Sequence, residues 1–227
     1  MRAKRGPPGG RVPAVTVRGA RRRKPSSTRW LSRQLNDPYV AEARRLGYRS
    51  RAAFKLIELD QRFRLLRPGQ RVLDLGCAPG GWTQVAVARV GRHGIVVGID
   101  LAATTPLLGA TVLTGDVCDP AIPAATSEAL GGLADIVLSD MAPAATGHAA
   151  TDHLRIVALA EDAFALAARI LRPGGAFVAK VFQGGAEGEL LAALKRDFAV
   201  LRHAKPPASR AESAETYVVA TGYRGGQ

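Results

Sequence analysis

The sequence predicts an α/β fold built on a doubly wound, mostly parallel sheet, and three observations predict it. Short β-rich runs alternate with helical patterns from Arg71 onward, as expected of strands joined by covering helices. The first of these strands ends in a glycine-rich turn that opens a helix, an arrangement that places a ligand at the carboxyl ends of parallel strands. The chain has 227 residues, 47% hydrophobic and 22% charged, enough for one main domain plus an appendage. Charges such as Asp100, Glu161 and Asp162 interrupt every apolar stretch before it reaches the roughly 18 residues of a membrane span.

The appendage comes first. Residues 1–35 hold 11 basic side chains and no acidic one, whereas the rest of the chain holds 21 basic and 19 acidic, so most of the formal +13 charge sits in this arm. Rich also in Gly, Pro and Ser, the arm is expected to be disordered alone and to contact the phosphates of a nucleic acid. Residues 36–227 are expected to form the folded domain. There, Asp37 to Gly47 reads as a short helix. A second helix follows, capped by Ser50, with Ala53, Phe54, Ile57 and Leu65 on its apolar face and Pro68-Gly69 as its stop. Strands are expected at 71–75, 95–99, 111–114, 135–138, 176–181 and 216–221, and helices at 83–90, 153–171 and 187–198. Cys77 and Cys118 have no CxxC spacing and apolar neighbours, which reads as two small core residues and no metal site. The basic start lacks an apolar segment and a cleavage site, and its Gly-Pro run would break an amphipathic targeting helix, so a cytoplasmic protein is expected.

The turn Asp74-Leu75-Gly76-Cys77-Ala78-Pro79-Gly80-Gly81-Trp82 gains meaning from two further acids. Asp100 closes the second strand, 26 positions after Asp74, where it can accept hydrogen bonds from both hydroxyls of a ribose. Asp116 closes the third, at the expected adenine edge. The turn departs from GxGxxG, the pattern that aims helix amides at a pyrophosphate. These residues resemble instead the S-adenosylmethionine pocket of class I methyltransferases, and that resemblance implies a ligand with an amino-acid end and a sulfonium cation.

Four ionisable residues stand at informative places. Lys55 lies in the apolar-faced second helix, Asp140 ends the fourth strand, and Glu215 precedes the last one. Lys180 interrupts Ala176-Phe177-Val178-Ala179-Lys180-Val181-Phe182, a strand whose interior tolerates a lysine only where it reaches a cleft and a partner.

The segments RSRAAFKL, DLGCAPGGW, SDMAP, LRPGGAFVAKVFQG and KPPASRAESAETYVVATG together resemble the FtsJ/RrmJ family, also called RlmE, of ribosomal RNA 2′-O-methyltransferases. The likeness spans about Asp37 to Gly222. It implies the Rossmann-like class I methyltransferase fold, a seven-stranded sheet with its last strand antiparallel. It implies S-adenosyl-L-methionine as cofactor, held by Asp74, Gly76, Pro79, Gly80, Gly81, Trp82, Asp100, Leu101, Asp116, Val117 and Asp140, with no metal. It places the catalytic Lys-Asp-Lys-Glu tetrad on Lys55, Asp140, Lys180 and Glu215. A ribose 2′-hydroxyl must lose its proton as it attacks in line with sulfur, and a lysine serves as base only where burial and nearby positive charge favour its neutral form. Lys180 is therefore read as the base and Asp140 as its orienter, with Lys55 and Glu215 positioning the ribose and developing oxyanion.

The resemblance further implies a uridine in the A loop of 23S rRNA, modified within the 50S subunit; a monomer is expected because no strand or helix shows an extra apolar face, and no membrane contact is expected. Transfer RNA as substrate and a non-catalytic role in ribosome assembly are the competing readings. An N-methyltransferase would carry Asn/Asp-Pro-Pro-Tyr/Phe where this chain has Ser139-Asp140-Met141-Ala142-Pro143, and a hydrolase would carry Gly-x-Ser-x-Gly; the four histidines have no evident partners. Two departures from the family pattern are Ala144, where Asn is usual, and Cys77, where Ala is usual. Arg44, Arg45, Arg49, Arg51, Arg64 and Arg67 are expected to extend the RNA surface beyond the arm.

Overall fold

The computed structural model describes residues 28, 31, 32, 34–143, 146–182 and 187–225. The expected disorder of the arm therefore falls mostly outside the described residues, and so does Ala144.

Two helices precede the sheet, α1 (Pro38–Leu46) and α2 (Ala52–Phe63). The doubly wound part follows as β1 (Arg71–Leu75), α3 (Gly81–Val90), β2 (Ile95–Asp100), β3 (Thr111–Thr114), α4 (Ile122–Leu130), β4 (Ala134–Ser139), α5 (Ala149–Ile170), β5 (Leu171–Phe182), α6 (Gly188–Asp197), β6 (Phe198–Ala204) and β7 (Glu215–Tyr223). The strand order is β3-β2-β1-β4-β5-β7-β6, with β1 to β5 parallel and β7 antiparallel to both its neighbours. This is the seven-stranded sheet that the resemblance implies.

Alternation along the central strands feeds two cores. Leu73, Leu75, Val97, Val137, Phe177, Ala179 and Val218 pack on the face covered by α4, α5 and α6. Val72, Val96, Ile136, Leu138, Val178, Tyr217 and Val219 pack on the face covered by α2 and α3. Each fully buried large aliphatic side chain contributes about 1.5–3 kcal/mol through its removal from water. The same parity has a functional consequence. Lys180 shares a face with Val178, and Glu215 shares one with Tyr217 and Val219, so both point toward the α2 side.

Several boundaries differ from expectation. Asp37 caps α1 by accepting from the Tyr39 amide at 3.0 Å, but α2 has Arg51 and not Ser50 at its N-cap and no side-chain cap there. Ser50 instead abuts Gly81, where an added Cβ would stand 2.2 Å from its Oγ. Helix α2 stops at Phe63, well before Pro68, because Arg64 turns left-handed (φ 54°) and Asp60 accepts the Leu66 amide at 2.8 Å. Strand β6 was not among the expected strands, the expected last helix reaching only its first residue; its burial pattern does not alternate, and within the sheet it pairs with β7. Helix α4, with Pro123 in its first turn, had no counterpart in the expected elements. Cys77 is buried, but Cys118 is exposed, held in a turn where its amide donates to Asp116.

Candidate active site

The chain runs outward from β1 to β3 in one direction and from β4 to β5 in the other. The crevice between β1 and β4 is therefore the switch point at which open α/β sheets bind ligands. Ser139 pairs with Leu75 there, so Gly76 and Asp140 leave the sheet side by side. Gly76 has φ 71°, and a Cβ on it would come within 3.0 Å of the Met141 backbone, so glycine is required by both conformation and space.

A cavity of about 660 Å³ opens at this point, lined by Gly76, Ala78, Ile99, Asp100, Leu101, Gly115, Asp116, Val117, Asp140, Met141 and residues of α5. The turns fix the carboxylates. Asp100 accepts from the Ala78 amide at 2.9 Å and the Ala102 amide at 2.8 Å, and Asp116 accepts from the Cys118 amide at 3.0 Å. Apolar walls from Ile99, Leu101, Val117 and Met141 flank them. Two carboxylates to accept hydroxyl and amino donors, an apolar slot for a flat ring and a third carboxylate at Asp140 suit the donor set of S-adenosyl-L-methionine.

Five residues expected to touch the cofactor do not line this cavity. Asp74 is fully buried behind the turn, where it accepts from the Thr83 hydroxyl at 2.7 Å and its Oδ1 has no protein partner. Burial drives its carboxyl up to about 7, against the hydrogen bond from Thr83 and aided by the charges of Asp140 and Asp100. Trp82 donates its indole N–H to the Ala52 carbonyl at 2.8 Å and packs 5.7 Å from the Tyr217 ring, fastening α3 to α2. Pro79, Gly80 and Gly81 likewise lie outside the cavity lining. They form the outer turn, which Arg49 holds by donating to the carbonyls of Pro79, Thr105 and Pro106.

On the far side of Asp140 the expected tetrad converges. Lys180 Nζ donates to the Asp140 carbonyl at 2.7 Å and to its Oδ1 at 3.0 Å. Lys55 Nζ lies 2.8 and 3.0 Å from the two oxygens of Glu215 and 3.6 Å from Asp140 Oδ1. Burial alone would raise the Asp140 carboxyl, yet the charges of Lys180 and Lys55 and the hydrogen bond from Tyr217 hold it below the usual range. Two residues of this network carried no functional reading in the sequence. Tyr217 donates to Asp140 Oδ1 at 2.6 Å and lies 3.3 Å from Glu215 Oε1, and burial followed by those two negative charges pushes its hydroxyl well above the ordinary value. Ser209 donates to Glu215 Oε1 at 2.7 Å. Tyr217 stands opposite Lys180 in the register of β5 and β7, a placement that only the fold provides.

Beside the tetrad, a pocket of about 150 Å³ is lined by Ala142, Pro143, Asp152, Ile156, Lys180, Phe182 and Glu215. A cleft of about 430 Å³, lined also by Gln34, Arg51, Arg210, Glu212 and Ser213, reaches Lys55 and Glu215. His153 does have neighbours, Glu187 at 3.7 Å and the Phe182 ring at 6.3 Å. Three arginines expected to face RNA have intramolecular partners: Arg45 pairs with Glu42, Arg49 holds the outer turn, and Arg51 pairs with Asp37.

Residues 48–223 match the model of the FtsJ-like methyltransferase family. The chain is 62% identical over 226 residues to Ribosomal RNA large subunit methyltransferase E of Paramagnetospirillum magneticum, covering 97% of this chain and 93% of that protein. It is 61% identical over 211 residues to the protein of the same name from Acidiphilium cryptum, with 93% of each covered. A crystal structure described as that of a ribosomal RNA methyltransferase from Plasmodium falciparum superposes with a TM-score of 0.71 at 30% identity, covering 79% of this chain and all of that one. A cavity at the β1–β4 switch point, a convergent charged network beside it and a match across the whole sheet agree, and the chain belongs to the FtsJ-like methyltransferase family.

Proposed function

We propose that this enzyme transfers a methyl group from S-adenosyl-L-methionine to a ribose 2′-hydroxyl of large-subunit ribosomal RNA, at a uridine of the 23S A loop within the 50S subunit. The observation that supports this most is that Asp140 both lines the cofactor-sized cavity and binds Lys180, which lines the adjoining small pocket. A methyl donor on one side thus stands within reach of an acceptor on the other. The near-complete coverage of relatives named ribosomal RNA large subunit methyltransferases supports the choice of RNA.

In this reading Asp100, Leu101, Asp116, Val117, Gly76 and Met141 hold the cofactor, and Asp140 lies nearest its charged centre. Bound there, the cofactor supplies an electrophilic methyl group on a positively charged sulfur. Lys180, oriented by two bonds to Asp140, takes the proton of the attacking hydroxyl at Nζ. Glu215 and Lys55 fix the ribose and balance the charge that develops on its oxygen. Asp74, Pro79, Gly80, Gly81 and Trp82 act through the shape of the turn. Residues 36–227 form the methyltransferase unit, and the arm at 1–35 adds contacts to the RNA backbone without base specificity. A monomer in the cytoplasm completes the reading.

The test is methyl transfer from labelled cofactor to undermethylated 50S particles, free 23S rRNA and bulk transfer RNA, with ribose-methyl mapping. Label in 50S at a uridine 2′-oxygen is the expected result. Label confined to transfer RNA would replace the substrate, and cofactor binding without label in any RNA would favour an assembly role. Removing residues 1–35 is expected to weaken RNA binding and flatten its salt dependence, measured by titration at several ionic strengths, while cofactor affinity stays unchanged.

A further inference from the structure

We infer that Ser209 is a positioning residue for methyl transfer, fixed by a clamp that one stripe of α2 places on the preceding peptide. The inference rests on the proposed acceptor role of Glu215 and extends it to groups that no sequence motif assigned.

The stripe consists of Arg51, Lys55 and Glu58, spaced by four and then three residues and therefore aligned on one helix face. Lys55 reaches Glu215. The other two grip the loop between β6 and β7 through the two main-chain polar groups of Ala208. Glu58 Oε2 accepts the Ala208 amide at 2.6 Å, and Arg51 Nη2 donates to the Ala208 carbonyl at 2.6 Å. Arg51 is itself held by Asp37 at 2.9 Å, and the second oxygen of Glu58 accepts from Tyr39 at 3.1 Å. Within the loop, Lys205 donates to the carbonyls of Ala211 and Ser213, closing it on itself.

The next residue is Ser209, whose side chain is buried. A buried hydroxyl is costly unless bonded, and this one donates to Glu215 Oε1, the same oxygen that Lys55 approaches at 2.8 Å. The carboxylate is thus held from two sides, by an ammonium from α2 and by a hydroxyl whose backbone α2 also holds. Without Ser209, Glu215 would keep Lys55 and the longer contact from Tyr217 at 3.3 Å, and one charge-assisted bond would be lost from the group that faces the acceptor pocket.

The test compares single-turnover transfer by full-length wild type, Ser209→Ala, Glu215→Ala and the double variant, with cofactor affinity measured on each. Ser209→Ala is expected to lower the transfer rate about 10-fold, with cofactor affinity and the KM for RNA within about twofold of wild type. In the Glu215→Ala background the same substitution is expected to change the rate less than about twofold, because its target is gone. Glu58→Ala is expected to reproduce the Ser209→Ala loss, and Glu58→Gln, which keeps an acceptor for the Ala208 amide, to recover most of it. Unchanged transfer by Ser209→Ala, or losses that multiply in the double variant, would overturn the inference, as would a fall in cofactor affinity matching the fall in rate. Wild type that methylates a different RNA would overturn the substrate reading alone, and the four proteins would then be compared on that RNA.

Discussion

On the β1–β3 side of Asp140 the carboxylates that line the cavity are held by backbone amides, mostly of their own turns, whereas on the α2–β5–β7 side each charged group is held by a charged or hydroxyl group from a distant segment. Asp100 and Asp116 accept from amides no more than 22 positions away, and most are only two away. Lys55 and Glu215 meet across 160 positions, and Tyr217 and Asp140 across 77. The difference separates two tasks. A cavity built from local turns can bind its ligand whatever happens to one neighbour, but a mutually satisfied buried network loses several interactions when one member goes.

The sharpest way to break that division is at the residue both sides share. Asp140→Ala is expected to lower transfer about 10³-fold and to weaken the cofactor as well. It also leaves two buried ammonium groups short of a partner, which costs about 3–5 kcal/mol. Transfer assays, cofactor titration and denaturant unfolding on one preparation would read all three. An Asp140→Ala protein with normal cofactor affinity would move Asp140 wholly to the acceptor side.

A substitution confined to the cofactor side sharpens the comparison from the other direction. Asp100→Ala is expected to weaken cofactor binding roughly 10- to 100-fold, the loss of two hydrogen bonds to a charged acceptor, while the transfer rate at saturating cofactor falls less than about threefold. Steady-state kinetics at varied cofactor would show this as a change in KM. A matching fall in saturated rate would mean that the two sides are not separable.

The smallest effect on turnover, and an informative one on stability, belongs to Asp74. Its carboxyl sits at about 7 against an ordinary 3.8, so the folded state prefers the protonated form. Below about pH 4 both folded and unfolded chains hold the proton and no penalty exists. As pH rises from about 4 to about 7 only the unfolded chain ionises fully, and stability is lost, on the order of 4 kcal/mol when complete. Asp140, held low, works oppositely: its contribution is present above the ordinary value and vanishes as pH falls through its depressed one. Asp74→Asn is therefore expected to remove a decline in Tm between pH 4 and 7, and an unchanged slope would refute it.

The same division governs how much was legible in the sequence. Asp100, Asp116 and the Gly76 turn could be read because each sits at the end of a strand whose pattern is local. Lys180 could be read because a charge inside an apolar strand is conspicuous, and the joining of the four tetrad members came from the family resemblance. Ser209 and Tyr217 were not legible as functional, since a serine in a proline-bounded loop and a tyrosine in a strand are ordinary there, and only the fold brings them to Glu215 and Asp140. Trp82 and Asp74 were legible as part of the turn but not as residues behind it, because a motif gives no depth. Strand β6 escaped for a similar reason: its exposed centre carries little periodicity, and pairing with β7 defines it.

The central claim is that binding the methyl donor and moving the proton are carried by different sides of Asp140. Lys180→Ala tests it most directly, with calorimetric cofactor affinity and single-turnover transfer to 50S particles measured on the same sample. Cofactor affinity within about threefold of wild type and transfer reduced by about 10³-fold or more is the predicted result. Retained transfer, or a loss of cofactor binding large enough to explain its absence, would contradict the claim.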